Sequence, residues 1–163
     1  MFLHHKSIMG GNNMQVKEAL SKYGSTPDKL IGAMLAYQRS TPCNYLTEDD
    51  IREFASETGL PISRVHGVAS FYSLLSTKPR GKYIIQVCYD VPCYVNDSVN
   101  VVKELEKKLR TTMGHTTDDG MFTLEYSSCL GCCDKAPVMQ IGDKLYGNLT
   151  SEKITEILSA YRR

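Results

Sequence analysis

The chain has 163 residues, of which 42% are hydrophobic, and its 19 basic and 18 acidic residues give a formal net charge of +1 at pH 7. This length suits one compact domain, or a small domain with a helical extension. The charge balance argues against nucleic acid or an anionic membrane as the main partner, because binding either one normally needs a clustered basic face.

The apolar segments of the sequence are all short. None approaches the ~20 apolar residues that a membrane span requires, so we expect no direct membrane insertion. The start, MFLHHKSIMGGNN, has no apolar core long enough for a signal peptide. We therefore predict a cytoplasmic protein. In that reducing compartment its six cysteines are expected to be ligands or free thiols rather than disulfides.

Residues 1–13 are predicted to form a flexible tail. His4 and His5 could bind a metal ion, but beside Gly10 and Gly11 they are expected to belong to this tail.

Residues 14–77 show helical periodicity and are predicted to form a small helical bundle. A first amphipathic segment ends at Gly24, and a third has Thr47 and Asp50 in the spacing of a capping box and ends at Gly59. The four predicted helical segments are MQVKEALSKYG, DKLIGAMLAYQ, TEDDIREFASETG and PISRVHGVASFYSLL.

The segment KPRGK, residues 78–82, is predicted to be a hinge, and the periodicity changes after it. Residues 82–163 are predicted to form a second domain. Gly142 and Asp143 are expected to form a two-residue hairpin turn between VMQI and KLY. The predicted elements in chain order are the strand KYIIQVC, the helix NDSVNVVKELEKKLR, the strand MFTLEYS, the hairpin and the helix TSEKITEILSAY.

The predicted strand–helix–strand order brings distant cysteines together. Such a crossover normally makes its two strands parallel, so both strands end at one edge of the sheet. The loop after the first strand carries Cys88 and Cys93, and the loop after the second carries Cys129, Cys132 and Cys133. This edge is where open sheets tend to bind ligands.

Three kinds of site fit these cysteines. A binuclear iron–sulfur cluster is held by four thiolates, two per iron. The gap between Cys88 and Cys93 suits one iron, and the gap between Cys129 and Cys133 suits the other. Gly131 would let the backbone approach the sulfur atoms closely.

Zinc and dithiol chemistry remain as alternatives. Structural zinc also takes four thiolates, usually from two Cys-x-x-Cys pairs, and only Cys129 with Cys132 has that spacing. A thioredoxin-type enzyme needs Cys-x-x-Cys directly after its first strand. That position here holds CYDVPC. The alternatives are therefore a zinc-stabilised interaction module and a thiol oxidoreductase.

Two longer stretches resemble a known family. RVHGVASFYSLLSTKPRGKYIIQVCYDVPC and CLGCCDKAPVMQIGDKLYGNLT are similar to the two cluster segments of the thioredoxin-like 2Fe–2S ferredoxin subunit of NADH-dehydrogenase modules. These subunits include the small iron–sulfur subunit of respiratory complex I and the small subunit of NAD-linked, electron-bifurcating hydrogenases and formate dehydrogenases. The resemblance covers about Leu30 to Tyr161 in matching order.

The resemblance implies an α+β fold, with an N-terminal helical bundle followed by a thioredoxin-like 2Fe–2S ferredoxin domain. It also implies one 2Fe–2S cluster. Cys132 departs from the family pattern, and its thiol is expected to point away from the cluster. Cys43 matches no ligand position and is expected to be a packing thiol. The implied cofactor-binding and metal-ligating residues are Cys88, Cys93, Cys129 and Cys133.

The resemblance further implies an electron-transfer subunit without catalytic residues of its own. Its partners would be a flavin- and NAD-binding subunit and further iron–sulfur subunits. In agreement, the sequence has no G-x-G-x-x-G motif after a strand. His66 and Tyr72 are expected to belong to a packing or docking surface rather than to a catalytic site. The segment APVMQIGDKLYGNLT is more similar to the bifurcating-hydrogenase branch than to the respiratory one.

Overall fold

A computed structural model describes residues 14–162. The chain forms two compact units, which divide between Pro79 and Arg80. The predicted tail over residues 1–13, with His4 and His5, lies outside the described residues. None of the helices in residues 14–162 is long and apolar enough to cross a membrane.

Within residues 14–79, the first unit contains four α-helices, which bury one apolar core. Large side chains at its centre include Phe54, Leu30 and Met34, all fully buried. Tyr37 packs its ring edge-on against Phe54. The helices are α1 (Val16–Tyr23), α2 (Leu30–Ser40), α3 (Glu48–Thr58) and α4 (Ile62–Phe71).

The start of α3 has the predicted capping box. The Asp50 backbone N–H donates to Thr47 Oγ1 at 3.1 Å, and the Thr47 backbone N–H donates to Asp50 Oδ2 at 2.8 Å. The Tyr37 hydroxyl donates to the other carboxylate oxygen of Asp50 at 2.6 Å. Gly59 ends the helix with φ of +68°, a conformation that glycine adopts without strain. Asp50 therefore joins the start of α3 to α2.

As far as residue 162, the second unit is a four-stranded mixed sheet with three α-helices. Its strands have the order β2-β1-β3-β4. The first two are parallel, as predicted, with Tyr83 opposite Phe122 at one end and Cys88 opposite Ser127 at the other. The elements are β1 (Tyr83–Cys88), α5 (Val91–Val95), α6 (Ser98–Leu109), β2 (Phe122–Ser127), β3 (Met139–Ile141), β4 (Lys144–Tyr146) and α7 (Ser151–Tyr161).

The core of this unit combines side chains of the sheet with those of α6 and α7. Leu105 of α6 and Ile154 of α7 pack with Ile85 and Leu124 of the sheet. The β3–β4 hairpin turns at Gly142, whose φ is +60°. The predicted hairpin residues are therefore confirmed.

Two features of this unit differ from the prediction. The alternation of Phe122, Leu124 and Tyr126 in the sequence predicts that these three share one buried face of β2, but Thr123 is buried as well, and Tyr126 is exposed. Thr123 is buried because its hydroxyl accepts a hydrogen bond from the Gly81 backbone N–H at 2.6 Å. The segment that carries Cys93 is the short helix α5 rather than a loop.

Candidate metal centre

The parallel pairing of β1 and β2 places both cysteine segments at one edge of the sheet. Cys88 is the last residue of β1, and β2 ends at Ser127, two residues before Cys129. The Tyr89 backbone N–H donates to the Ser127 carbonyl at 3.1 Å, which fastens the two strand ends together. Cys93 follows on α5. The edge therefore receives thiols from both segments.

Cys88 and Cys93 form a buried thiol pair. Each is 1% exposed, and with Val138 they make a small apolar cluster. The Cys88 backbone N–H donates to the Val138 carbonyl at 3.1 Å. Burial raises the pKa of the Cys93 thiol to about 11, the hydrogen bond with the Cys88 side chain adds to this rise, and a hydrogen bond with the Val138 backbone opposes it. The two thiols therefore share one buried cluster.

Cys129 and Cys133 form an exposed thiol pair. Their sulfur atoms are 3.3 Å apart. The hydrogen bond with Cys129 raises the pKa of the Cys133 thiol, and the charge of Cys88 adds to that rise. The backbone N–H of Gly131 points at Cys129 Sγ, with 3.5 Å between nitrogen and sulfur, and Gly131 has φ of +78°. Glycine therefore makes this amide contact possible.

The two thiol pairs influence each other. The charge of Cys88 contributes to the raised pKa of the Cys133 thiol, and the charge of Cys133 contributes to the raised pKa of the Cys93 thiol. Within residues 14–162, no group of three or more His, Cys, Asp or Glu side chains is gathered around a single metal position. The structure thus brings the four predicted ligands together as two pairs, one from each cysteine segment. Two thiolates per iron is the donor set of a binuclear iron–sulfur cluster, so the chemistry of these side chains fits that group.

The two remaining cysteines have different surroundings. Cys132 is half-buried and packs against the apolar cluster of Cys88, Cys93 and Val138. Cys43 lies in the first unit, between α2 and α3. The expectation that Cys43 is a packing thiol is wrong, because its residue is exposed. It follows Pro42 in the turn after α2, where the chain runs at the surface.

Three tyrosines at this edge were not singled out from the sequence. The ring of Tyr89 makes edge-to-face contacts with Tyr94 at 5.6 Å and with Tyr126 at 5.0 Å between centroids. All three side chains are exposed. Two of them directly follow cysteines in the sequence, Tyr89 after Cys88 and Tyr94 after Cys93. Their position next to predicted ligands is the sequence signal from which these two tyrosines could have been placed near the site.

His66 and Tyr72 lie in the first unit and are both exposed. Phe71, which is 80% exposed, packs its ring edge-on against Tyr72. Ile62 and Leu74 are exposed as well. We call the three of these residues at and just after the end of α4, Phe71, Tyr72 and Leu74, the α4 patch.

Comparisons with known proteins agree on one family and on two kinds of complex. The family described as thioredoxin-like 2Fe-2S ferredoxin matches residues 16–162. A subunit of NADH-quinone oxidoreductase from Pseudomonas aeruginosa is 44% identical over 103 residues, which cover 63% of this chain and 62% of that protein. The subunit of the same name from Escherichia coli K12 is 41% identical over 118 residues, covering 72% of this chain and 71% of that protein.

A hydrogenase subunit is similar too. The NADP-reducing hydrogenase subunit HndA of Solidesulfovibrio fructosivorans is 35% identical over 113 residues, which cover 69% of this chain and 66% of that protein. Among solved structures, the NAD+-reducing NiFe-hydrogenase in its air-oxidised state has a chain that matches with a TM-score of 0.71 and 22% identity. The match covers 82% of this chain and 22% of that chain, and it shows a shared fold.

Proposed function

Because this chain belongs to the thioredoxin-like 2Fe–2S ferredoxin family, we propose that it is an electron-transfer subunit of a multi-subunit, NAD(H)-linked oxidoreductase. The family confirms the thioredoxin-like ferredoxin fold and the 2Fe–2S cofactor that the resemblance implied. The ligands we propose are the four thiols of the two pairs, namely Cys88, Cys93, Cys129 and Cys133.

The pairing of the thiols is the observation that carries this proposal. Each iron of a 2Fe–2S cluster takes two thiolates. Cys88 and Cys93 supply one buried pair, and Cys129 and Cys133, with their sulfur atoms 3.3 Å apart, supply the other. Each pair comes from one segment, and the parallel strands hold the two segments at one edge. The same pairs are expected to bind one iron each.

The surroundings of the two pairs suit a carrier of single electrons. When bound, a 2Fe–2S cluster supplies one-electron redox chemistry. The buried pair, Cys88 with Cys93, shields one side from water, while Cys129 and Cys133 are exposed. The backbone amide of Gly131 donates to Cys129 Sγ, as outer-shell groups that orient metal ligands do. Electrons would therefore enter and leave on the side of Cys129 and Cys133.

The partners follow from the same proposal. The relatives are subunits of NADH-quinone oxidoreductase and of NADP-reducing hydrogenase. We propose that this chain works beside a flavin- and NAD-binding subunit and further iron–sulfur subunits in the cytoplasm. We assign it to a hydrogenase-type, electron-bifurcating complex, which is supported by the resemblance of residues 136–150 to that branch. Flavin, iron and hydrogenase activity in the complex isolated with this chain would test the assignment.

The cofactor proposal is tested by iron and acid-labile sulfide analysis, with a visible spectrum, on the full chain purified without oxygen. We expect about two irons per chain and broad visible bands that bleach on reduction. Zinc without iron would instead support a zinc-stabilised interaction module. A metal-free protein with a titratable dithiol would support a thiol oxidoreductase.

A further inference from the structure

Gly147 lies directly behind the segment that carries Cys133. It follows the last residue of β4, Tyr146, and it passes close to Lys135, two residues after Cys133. A Cβ atom built on Gly147 would lie 2.5 Å from Lys135 Cβ and 2.7 Å from the Lys135 carbonyl oxygen. Both distances are shorter than side chains tolerate, and one of the atoms is backbone. No residue with a Cβ atom fits at position 147 unless the Lys135 segment moves.

Hydrogen bonds join residues 147–149 to residues 135–137 at this contact. The Asn148 backbone N–H donates to the Lys135 carbonyl at 2.6 Å, and that of Leu149 donates to the Pro137 carbonyl at 3.4 Å. Leu149 is buried in the core of the second unit. On the other side, Lys153 Nζ of α7 donates to the Gly147 carbonyl at 2.6 Å. The segment 147–149 is thus anchored to the core and supports residues 135–137.

Residues 135–137 are joined to the backbone of Cys132 and Cys133 by a single turn of helix. A short 3₁₀ turn covers Cys133–Lys135. In it the Lys135 backbone N–H donates to the Cys132 carbonyl at 3.0 Å, and that of Ala136 donates to the Cys133 carbonyl at 3.3 Å. A shift of the Lys135 backbone would therefore change the position of Cys133 relative to Cys129.

We infer that Gly147 is a positioning residue, which sets the place of Cys133 by letting the chain after β4 support the 3₁₀ turn. The inference rests on the proposed function, because it concerns the ligand-bearing turn of the proposed cluster. Gly147 acts on the thiols only through Lys135. Supporting groups around metal ligands typically change metal affinity about 10–100-fold when they are altered.

The test compares Gly147→Ala with Gly81→Ala in the full chain. A Cβ on Gly81 would lie 2.8 Å and 2.9 Å from backbone atoms of Phe122, so the clash is similar. Phe122 is at the start of β2, and the cysteines lie at or beyond the other end of the β1–β2 pair. Both variants are expected to unfold more easily than the wild type. Only Gly147→Ala is expected to change the cluster itself.

The measured quantities are the rate of iron release to a chelator, the midpoint potential and the EPR line shape. We expect Gly147→Ala to release iron about 10-fold faster than Gly81→Ala. We also expect it to shift the midpoint potential and to change the EPR line shape. Identical values in the two variants would overturn the inference. A wild-type chain without iron and sulfide would instead overturn the proposed function.

A milder variant covers the case in which Gly147→Ala does not fold. Lys153→Met removes the ammonium group that holds the Gly147 carbonyl and adds no atom near Lys135. The control is Lys144→Met, which changes an exposed lysine of β4. We expect faster iron release from Lys153→Met than from Lys144→Met. Equal rates would contradict the support of the turn by residues 147–149.

Discussion

At the residue scale, the neighbouring cysteines Cys132 and Cys133 differ in what surrounds them. Cys133 is exposed, and its sulfur atom is 3.3 Å from that of Cys129. Cys132 is half-buried against the apolar cluster that contains Cys88 and Cys93. A backbone that directs one of two adjacent side chains toward Cys129 directs the other elsewhere. The proposed ligand set therefore includes Cys133 and leaves out Cys132.

This assignment predicts opposite results for two single substitutions. Cys133→Ala removes one thiolate of the exposed pair and is expected to abolish the 2Fe–2S absorption and EPR spectra. Cys132→Ala removes a packing thiol and is expected to keep both spectra, with iron content unchanged. Cys43→Ala, in the first unit, is the control for the loss of any cysteine. Loss of the cluster in Cys132→Ala with a normal Cys133→Ala would reverse the assignment.

At the element scale, the start of α3 depends on one carboxylate. Asp50 accepts hydrogen bonds from the Thr47 backbone and from the Tyr37 hydroxyl. It also lies in the first turn of the helix, where negative charge is favourable. One side chain therefore caps α3 and ties it to α2.

Replacing this residue should destabilise the first unit. Asp50→Ala is expected to lower its free energy of unfolding by about 1–2 kcal/mol, because the cap is lost and the Tyr37 hydroxyl loses its acceptor. The control, Asp49→Ala, removes an exposed carboxylate from the same turn. Hydrogen exchange of the α3 amides measures the difference. Equal exchange in the two variants would show that the cap contributes nothing.

The elements that the sequence predicted best are those with a local signal. Thr47, Asp50 and Gly59 mark the two ends of α3, and Gly142 marks the hairpin turn, because each has a role that only a few residue types fill. The crossover rule placed the cysteine segments at one edge of the sheet. That step relied on two strands, β1 and β2, with clear periodicity.

The features that could not be predicted depend on contacts distant in the chain. The helix α5 has five residues, too few to show a period. Thr123 is buried through a bond to Gly81, 42 residues earlier. The closeness of Gly147 to Lys135 is invisible in the sequence, where Gly147 is only a glycine after a strand. The spacing of the cysteines suggested how the thiols pair, but by itself it left zinc and dithiol sites open.

At the scale of the whole molecule, the chain has two units with separate cores, and each presents exposed apolar side chains. In the first unit these include the α4 patch. Exposed apolar patches commonly mark interaction surfaces. We propose that residues 14–77 dock the flavin-binding partner, and we assign the contact to the α4 patch.

Phe71 is the residue whose replacement tests this surface. Because its side chain is 80% exposed, Phe71→Ser should leave folding within about 0.5 kcal/mol of the wild type. We expect the Kd for the flavin-binding partner to rise about 10-fold or more, as for an aromatic residue central to an interface. Leu145→Ser, which changes a leucine 46% exposed in the second unit, is the control. An unchanged Kd for Phe71→Ser would remove the α4 patch from the interface.

We propose that this chain passes electrons within an NAD(H)-linked complex, and EPR spectra of that complex would show whether its cluster exchanges electrons with NADH. The complex would be isolated without oxygen through a tag on the full chain and mixed with NADH at several NADH/NAD+ ratios. We predict a reduced 2Fe–2S signal that grows with the ratio and is missing when the chain carries Cys93→Ala. A cluster signal that stays the same at every ratio, while the flavin of the complex is reduced, would contradict the claim.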